Sequence, residues 1–475
     1  MGNVVIVLIL LGYFGLLMLV SAWVGKQSGN DAFFTGNRRA PWYVVSIGMI
    51  GSSISGISFI SVPGMVAGNG FLYLQTVMGF FVGYIILAKV LLPVYYKQTS
   101  PSIYVYLKER FGLKAYKTGA WFFLLSKAIG ASARVYVAVL VLHEFILKNW
   151  GISFTTTSLV VIAMIWLYTF RSGTKTIVWT DLVQTLFMVG AMVLMLLQFS
   201  HGLDLDAGGI WKTVAGSPYS RMFEFSDWTS KQFFFKQFFS GIFIVLVMTG
   251  LDQEMIQKNR TIHDLDKAQR NMYWYGFTFL PINLIFLVIG ALMYAFATQK
   301  GIALPSSPDA VLPMLATSQF AGGIGILLLL IGVVSATFSG ADSSMTAITT
   351  SFCIDILGKE NNVKTRRLVH VTVAILFVVL ILLFRALNSL TLIDAIYTIA
   401  SYTYGPLLGL FAFGLLTKRK ADDRWIPLIA LASPLLCYGL QAFTAAAFGY
   451  HFSYELLMLN GLLTFTGLWF TSKRP

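Results

Sequence analysis

Residues 48–64 read GMIGSSISGISFISVPG. The segment sits in an apolar stretch long enough to cross a bilayer, yet it gathers Gly51, Ser52, Ser53, Ser55, Gly56, Ser58, Ser61 and Pro63 at what would be mid-membrane depth. Glycine and serine weaken a helix, and Pro63 lacks an amide and clashes with the preceding turn. Unwound backbone at that depth survives only where protein or a cavity covers it, and its freed carbonyls are natural ligands for a small cation. A small-residue face for close helix packing would use the same composition. Under either reading a polytopic helical bundle surrounds this stretch.

The rest of the chain agrees. Of 475 residues, 57% are hydrophobic and 11% charged, more apolar surface than a soluble domain of this size could hide. At about 1.5 Å rise per residue, some 20 apolar residues span the hydrocarbon core. On that basis thirteen spans are expected, near 3–23, 43–67, 71–95, 116–146, 153–170, 176–200, 232–250, 272–298, 318–350, 366–384, 391–417, 424–447 and 452–472. The expected fold is an all-α polytopic membrane protein forming one transport domain over 1–475. The first stretch, Asn3 to Trp23, has no basic leader and no small-residue cleavage site, so it reads as a retained helix. Cys353 and Cys437 lie in or beside apolar helices and read as packing residues.

The formal charge of +14 falls in alternate loops. Lys26, Arg38 and Arg39; Lys108 to Lys117; Arg171 and Lys175; Lys258 to Arg270; Lys359 to Arg367; Lys418 to Arg424; and Lys473 with Arg474 all follow odd-numbered spans. The opposite loops are poor in basic residues. The charge therefore reports topology rather than a nucleic-acid partner: N-terminus outside, C-terminus cytoplasmic, in the cell's inner membrane.

Ionisable groups inside spans mark function. The ninth span carries SATFSGADSSMTAITTSF, Ser335 to Phe352, in which Ala336, Ser339 and Ser343 share a helix face and Asp342 follows closely. The sixth opens TIVWTDLVQ and places Asp181 two turns in; the fourth holds Lys127 and Arg134 seven residues apart. A Lys127–Asp181 ion pair is one expectation from these positions. An intramembrane transferase would need a catalytic constellation, and neither a His–Asp–Ser grouping nor a metal cluster is legible. A channel would need a pore-loop repeat, also absent.

The motifs SGISFISVPG, TDLVQ, SATFSGADSS, DQEMIQK (Asp252 to Lys258) and YGPLLGLFAFG (Tyr404 to Gly414) resemble those of the sodium/solute symporters. The resemblance implies a LeuT-like fold with two inverted five-helix repeats, here 43–200 and 232–417, preceded by the extra helix 3–23 and followed by the helices 424–472. It implies sodium-coupled uptake of a small polar solute. Sodium would be held by the carbonyls of Gly51, Ile54 and Ala336 and the hydroxyl of Ser339, with Asp181, Asp342 and Ser343 as further oxygen donors. Gly340 stands where the family usually has a hydroxyl, which counts against a second sodium. Ser53, Ser55, Ser58, Gln75 and Arg134 match solute-facing positions. Ser58 and Met248 replace a sugar-binding glutamine and an aromatic gate of the galactose transporter, so the chain is more similar to sialic-acid-type members, and a carboxylate on the solute would meet Arg134. The competing expectation is a proton-coupled or sodium-independent transporter of a neutral sugar or polyol.

The topology has a direct test. A thiol-reactive probe applied from outside intact cells should label a cysteine placed at Asn3 and leave one at Lys114 unlabelled; the reverse pattern would refute the span assignment.

Overall fold

The computed structural model describes residues 3–25, 29–170, 173–317, 322–387 and 392–473. Lys26, Arg171 and Arg474, which enter the loop alternation, lie outside the described residues, as do 318–321 and 391 of two expected spans. Among the described residues, nine helices are long and apolar enough to cross a membrane, and two further pairs of helices would each make one bent span. Two shorter apolar helices, Phe154–Thr169 and Leu456–Thr471, occupy the remaining expected positions. Among the described residues the regular structure is helical apart from a two-residue antiparallel ladder that joins Lys420–Ala421 to Ser472–Lys473. Short helices at Ala207–Ala215 and Pro308–Thr317 lie in connections that the apolar pattern leaves blank.

The two bent pairs organise everything else. The first is Trp42–Ser53 followed by Gly56–Gly64, bent by 62°. Ile54 and Ser55 are extended there, and Ser55 caps the second half by accepting from the Ser58 amide at 3.3 Å. The second pair is Phe234–Gly250 and Gln253–Asn259, bent by 70°. Its first half widens into a π-turn over Leu246–Gly250, and Asp252 caps its second half by accepting from the Glu254 amide at 2.9 Å. The breaks are five spans apart, at matching places in the two halves of the chain.

The segment 253–259 is a correction to the charge-based reading, which places Lys258 at the start of a basic cytoplasmic loop. It is a helix buried along its whole length, with Lys258 only 2% exposed. The reason is pairing: its charges meet opposite charges on neighbouring helices, described below.

Around the breaks pack the long helices Leu113–Phe145, Thr174–Gly202, Leu265–Gln299 and Gly322–Ser351. The N-terminal helix Asn3–Val24 lies outermost, with Ile6, Tyr13 and Leu17 turned inward and Leu8, Leu19 and Trp23 exposed, a division that suits a lipid-facing helix. Helix Tyr73–Ile86 meets Phe234–Val245 backbone to backbone. A Cβ at Gly79 would overlap the Phe238 carbonyl oxygen, and one at Gly241 would overlap that of Thr76. Only glycine allows this approach, since neither carbonyl can rotate away as a side chain could.

Gly241→Val should therefore destabilise the protein by about 1–3 kcal/mol or more through overpacking, read as a lower unfolding midpoint in detergent. Gly190→Ala, where an added methyl group meets nothing within 4 Å, should leave the midpoint unchanged or slightly raised. Equal losses at the two positions would contradict the packing described.

Candidate functional site

Where the first bent helix breaks, four peptide carbonyls lose their helical partners. Among the described residues no backbone N–H donates to the carbonyls of Gly51, Ser52, Ser53 or Ile54. The break is buried: Ile54 is 1% exposed and Ser52 likewise. Gly51 presses on helix Thr174–Gly202, where a Cβ would overlap the Thr185 hydroxyl.

Facing the break is the Ser335–Ser344 stretch of helix Gly322–Ser351. The Ser339 hydroxyl donates to Asp181 Oδ1 at 2.6 Å and lies 2.9 Å from the Ser52 hydroxyl, which is 3.3 Å from Asp181 Oδ2. Ala336 is buried one turn earlier on the same helix. The structure thus brings Ser339, Ser52 and Asp181 into direct contact, with Gly51 against the Asp181 helix and Ile54 and Ala336 buried on the two facing helices. A Cβ at Gly340 would stand 3.6 Å from the Ser52 carbonyl oxygen, an ordinary contact, so the missing hydroxyl is not a steric necessity. Asp342 and Ser343 hydrogen-bond to other partners: Tyr168 donates to Asp342 Oδ2 at 2.9 Å and Ser343 to Oδ1 at 3.0 Å.

The partner of Asp181 is not Lys127. Lys258 Nζ lies 2.7 Å from Asp181 Oδ2 and contacts the Ser52 hydroxyl. From there the charges alternate. Lys258 Nζ is 3.6 Å from Glu254 Oε1; Glu254 Oε2 is 2.6 Å from Lys127 Nζ; Lys127 Nζ is 2.8 Å from Asp252 Oδ2. Ser344 donates to Glu254 Oε2 at 2.8 Å, and the Tyr404 hydroxyl donates to Asp252 Oδ2 at 2.7 Å. No side chain in this ladder is more than 8% exposed. The expected Lys127–Asp181 pair is corrected for a physical reason: the two carboxylates of the second bent helix lie against Lys127, and the lysine of that helix reaches Asp181 first.

The far end of the ladder opens into a cavity. Lys127, Asp252 and Tyr404 line it together with Ser53, Ser55, Ser58 and Arg134, and Tyr84, Met248 and Phe279 supply its apolar walls. Ser53 hydrogen-bonds the Tyr275 hydroxyl, which also receives Tyr84 at 2.9 Å; the Ser55 and Ser58 hydroxyls lie 3.3 Å apart. Arg134 is half-buried, and among the described residues its guanidinium makes no hydrogen bond or ion pair.

Gln75 is a second correction. It does not line this cavity; it is fully buried and fastens the long connection 203–233. Its Nε2 donates to the Gln232 carbonyl at 2.8 Å and its Oε1 accepts from the Glu224 amide at 2.9 Å. Four residues that the motifs do not single out as site residues belong to the ladder and its surroundings: Ser52, Asp252, Glu254 and Lys258. The Glu254–Lys258 spacing of four, the spacing of a helical ion pair, is the signal that could have found the last two.

Comparison with known proteins follows the same lines. Residues 33–423 match the sodium:solute symporter family. The chain is 22% identical over 435 residues to the sodium/sialic acid symporter SiaT of Proteus mirabilis, covering 86% of this chain and 84% of that protein. It is 24% identical over 455 residues to the sodium/sialic acid symporter NanT of Aliivibrio fischeri, covering 90% and 86%. Among solved structures, a substrate-bound, outward-open Na+-coupled sialic acid symporter superposes over 100% of this chain and 99% of its own, with a TM-score of 0.84 at 20% identity.

Buried ion pairs make a clear prediction. Lys258→Met leaves Asp181 with hydroxyl partners alone, an uncompensated buried charge costing about 3–5 kcal/mol. The double variant Lys258→Met/Asp181→Asn removes both charges and should be more stable than Lys258→Met, as measured by denaturation in detergent. Strictly additive losses would show that the two side chains act independently.

Proposed function

The chain belongs to the sodium:solute symporter family, and from that premise we propose that it carries a small anionic organic solute, a sugar acid such as sialic acid, into the cell together with sodium by alternating access. The observation that carries the anionic reading is Arg134. A permanent cation at this depth needs an anionic partner in part of the transport cycle, and the nearby carboxylates are engaged elsewhere: Asp181 by Lys258, Asp252 by Lys127, and Asp342 by Tyr168 and Ser343. A carboxylate on the solute would meet the guanidinium fork through two hydrogen bonds. Ser53, Ser55 and Ser58, on the same wall of the cavity, would read hydroxyl or amide groups. Lys127, which also lines the cavity, is held between Glu254 and Asp252, which leaves Arg134 as the cation for the solute.

One coupling sodium is proposed, held by the carbonyls of Gly51, Ile54 and Ala336 and the hydroxyl of Ser339, beside the Asp181 carboxylate. A second is not, because Gly340 supplies no hydroxyl where the family usually has one. The two bent helices, each opening one five-helix repeat, supply the places where such a fold changes which side it exposes. A proton-coupled carrier of a neutral polyol is disfavoured by the unpaired guanidinium, which such a solute would leave without an anion.

The test is ligand-induced stabilisation. A ligand that binds only the folded state raises its apparent stability with saturation. N-acetylneuraminate should raise the unfolding midpoint in sodium but not in choline, while galactose and mannitol should do nothing. Arg134→Lys keeps the charge and loses the fork, so it should weaken the acid's binding about tenfold or more, roughly 1.4 kcal/mol, with the unliganded midpoint preserved. Stabilisation by the neutral sugars and not by the acid would overturn the reading.

A further inference from the structure

The ladder described above has an uneven composition: three carboxylates, Asp181, Glu254 and Asp252, alternate with two ammonium groups, Lys258 and Lys127. In their ordinary ionised forms it is one cation short, and a carboxylate terminates it at each end. One end, Asp181, is hydrogen-bonded to Ser339 in the oxygen cluster; the other, Asp252, lines the solute cavity. The links are also unequal. Lys258 is close to Asp181 at 2.7 Å and slack towards Glu254 at 3.6 Å, while Lys127 is close to both Glu254 and Asp252, at 2.6 and 2.8 Å.

We propose that Lys258 is a tethered cation that competes with sodium for the Asp181 carboxylate, and that its displacement onto Glu254 loosens Lys127 towards the solute cavity. The proposal rests on the reading of Gly51, Ile54, Ala336 and Ser339 as the sodium site. Sodium there stands beside the same carboxylate that Lys258 occupies. Two positive charges sharing one buried carboxylate repel each other at short range, where solvent screens little. Lys258 has somewhere to go, because Glu254 lies one turn back on its own helix and needs only a side-chain rotation to close the 3.6 Å gap. When Lys258 closes on Glu254, the Glu254 carboxylate holds Lys127 less tightly. Lys127 then leans on Asp252 and on whatever anion fills the cavity beside Arg134. Sodium binding and anion binding thereby favour each other through side-chain exchange, and a coupling of this kind is reciprocal by thermodynamic necessity. The exchange needs no net gain of charge pairs; it needs only that one more cation enters a ladder that lacks one.

The sodium step is measured without any solute, by titrating sodium chloride against choline chloride at constant ionic strength and following the unfolding midpoint. Lys258→Met removes the competitor, so sodium should half-saturate at a concentration about tenfold lower or less. Glu254→Gln removes the charge on which the displaced Lys258 settles, so sodium should half-saturate about tenfold higher. In the Lys258→Met/Glu254→Gln double variant the effect of Glu254→Gln on sodium should vanish, because it acts through Lys258; such non-additivity is the mark of a shared interaction. Weaker sodium binding in Lys258→Met, or an effect of Glu254→Gln that persists without Lys258, would overturn the proposal. Should Lys258→Met fail to fold, Glu254→Gln alone decides, since unchanged sodium affinity in it also overturns the exchange. A second arm measures N-acetylneuraminate affinity with and without sodium: the ratio should be large in the parent and shrink towards one in Glu254→Gln. Absence of any acid binding in the parent would refute the solute assignment, while the sodium titrations would still judge the exchange.

Discussion

A peptide carbonyl without an N–H partner cannot face hydrocarbon, and this constraint shapes the whole bundle. The break at Ile54 and Ser55 frees four carbonyls in the middle of the domain, and each must be enclosed by protein or offered to a ligand. The Asp181 helix, the Ser339 helix and the second bent helix close around that break for this reason. Gly51 permits the close approach on one side, and the hydroxyls of Ser52 and Ser339 line the other. A straight helix here would need none of this cladding. It would also offer no oxygen cage.

The same enclosure creates an electrostatic problem that the second bent helix resolves. Three carboxylates taken out of water are tolerable only when cations are held among them with good hydrogen-bond geometry. Lys127 and Lys258 meet that condition from two different helices, and Ser344 and Tyr404 fill remaining lone pairs. The result ties the broken stretch around Ser52 and Ser339 to the cavity lined by Asp252 and Arg134 by direct contacts, so the two regions share side chains.

How much of this is legible in the sequence follows from where each signal sits along the chain. The first break is legible because glycine, serine and proline in an apolar run conflict locally with a helix, and local conflicts are visible in sequence. Arg134 is legible because a guanidinium deep in an apolar span is costly unless it faces a polar cavity. The ladder is not. In DQEMIQK, three charges in seven residues look like a solvated loop, and only the tertiary arrangement brings opposite charges to meet them and makes burial tolerable. Lys127 therefore takes the wrong partner on sequence grounds: Asp181 is a carboxylate plainly within a span, whereas Asp252 and Glu254 read as facing water. Gln75 fails for the opposite reason. A buried amide satisfies a loop backbone as readily as it satisfies a solute, and one-dimensional matching cannot tell the two apart.

The contact between Gly79 and Gly241 bears on how such a molecule can move. With a backbone carbonyl occupying the place a side chain would take on each helix, the pair can neither slide nor part without opening a void, so the helices Tyr73–Ile86 and Phe234–Val245 travel as a single strut that bridges the two halves of the chain. Sliding along that seam would bring side chains larger than glycine against the facing carbonyl oxygens, so the seam resists shear by overpacking rather than by any bond.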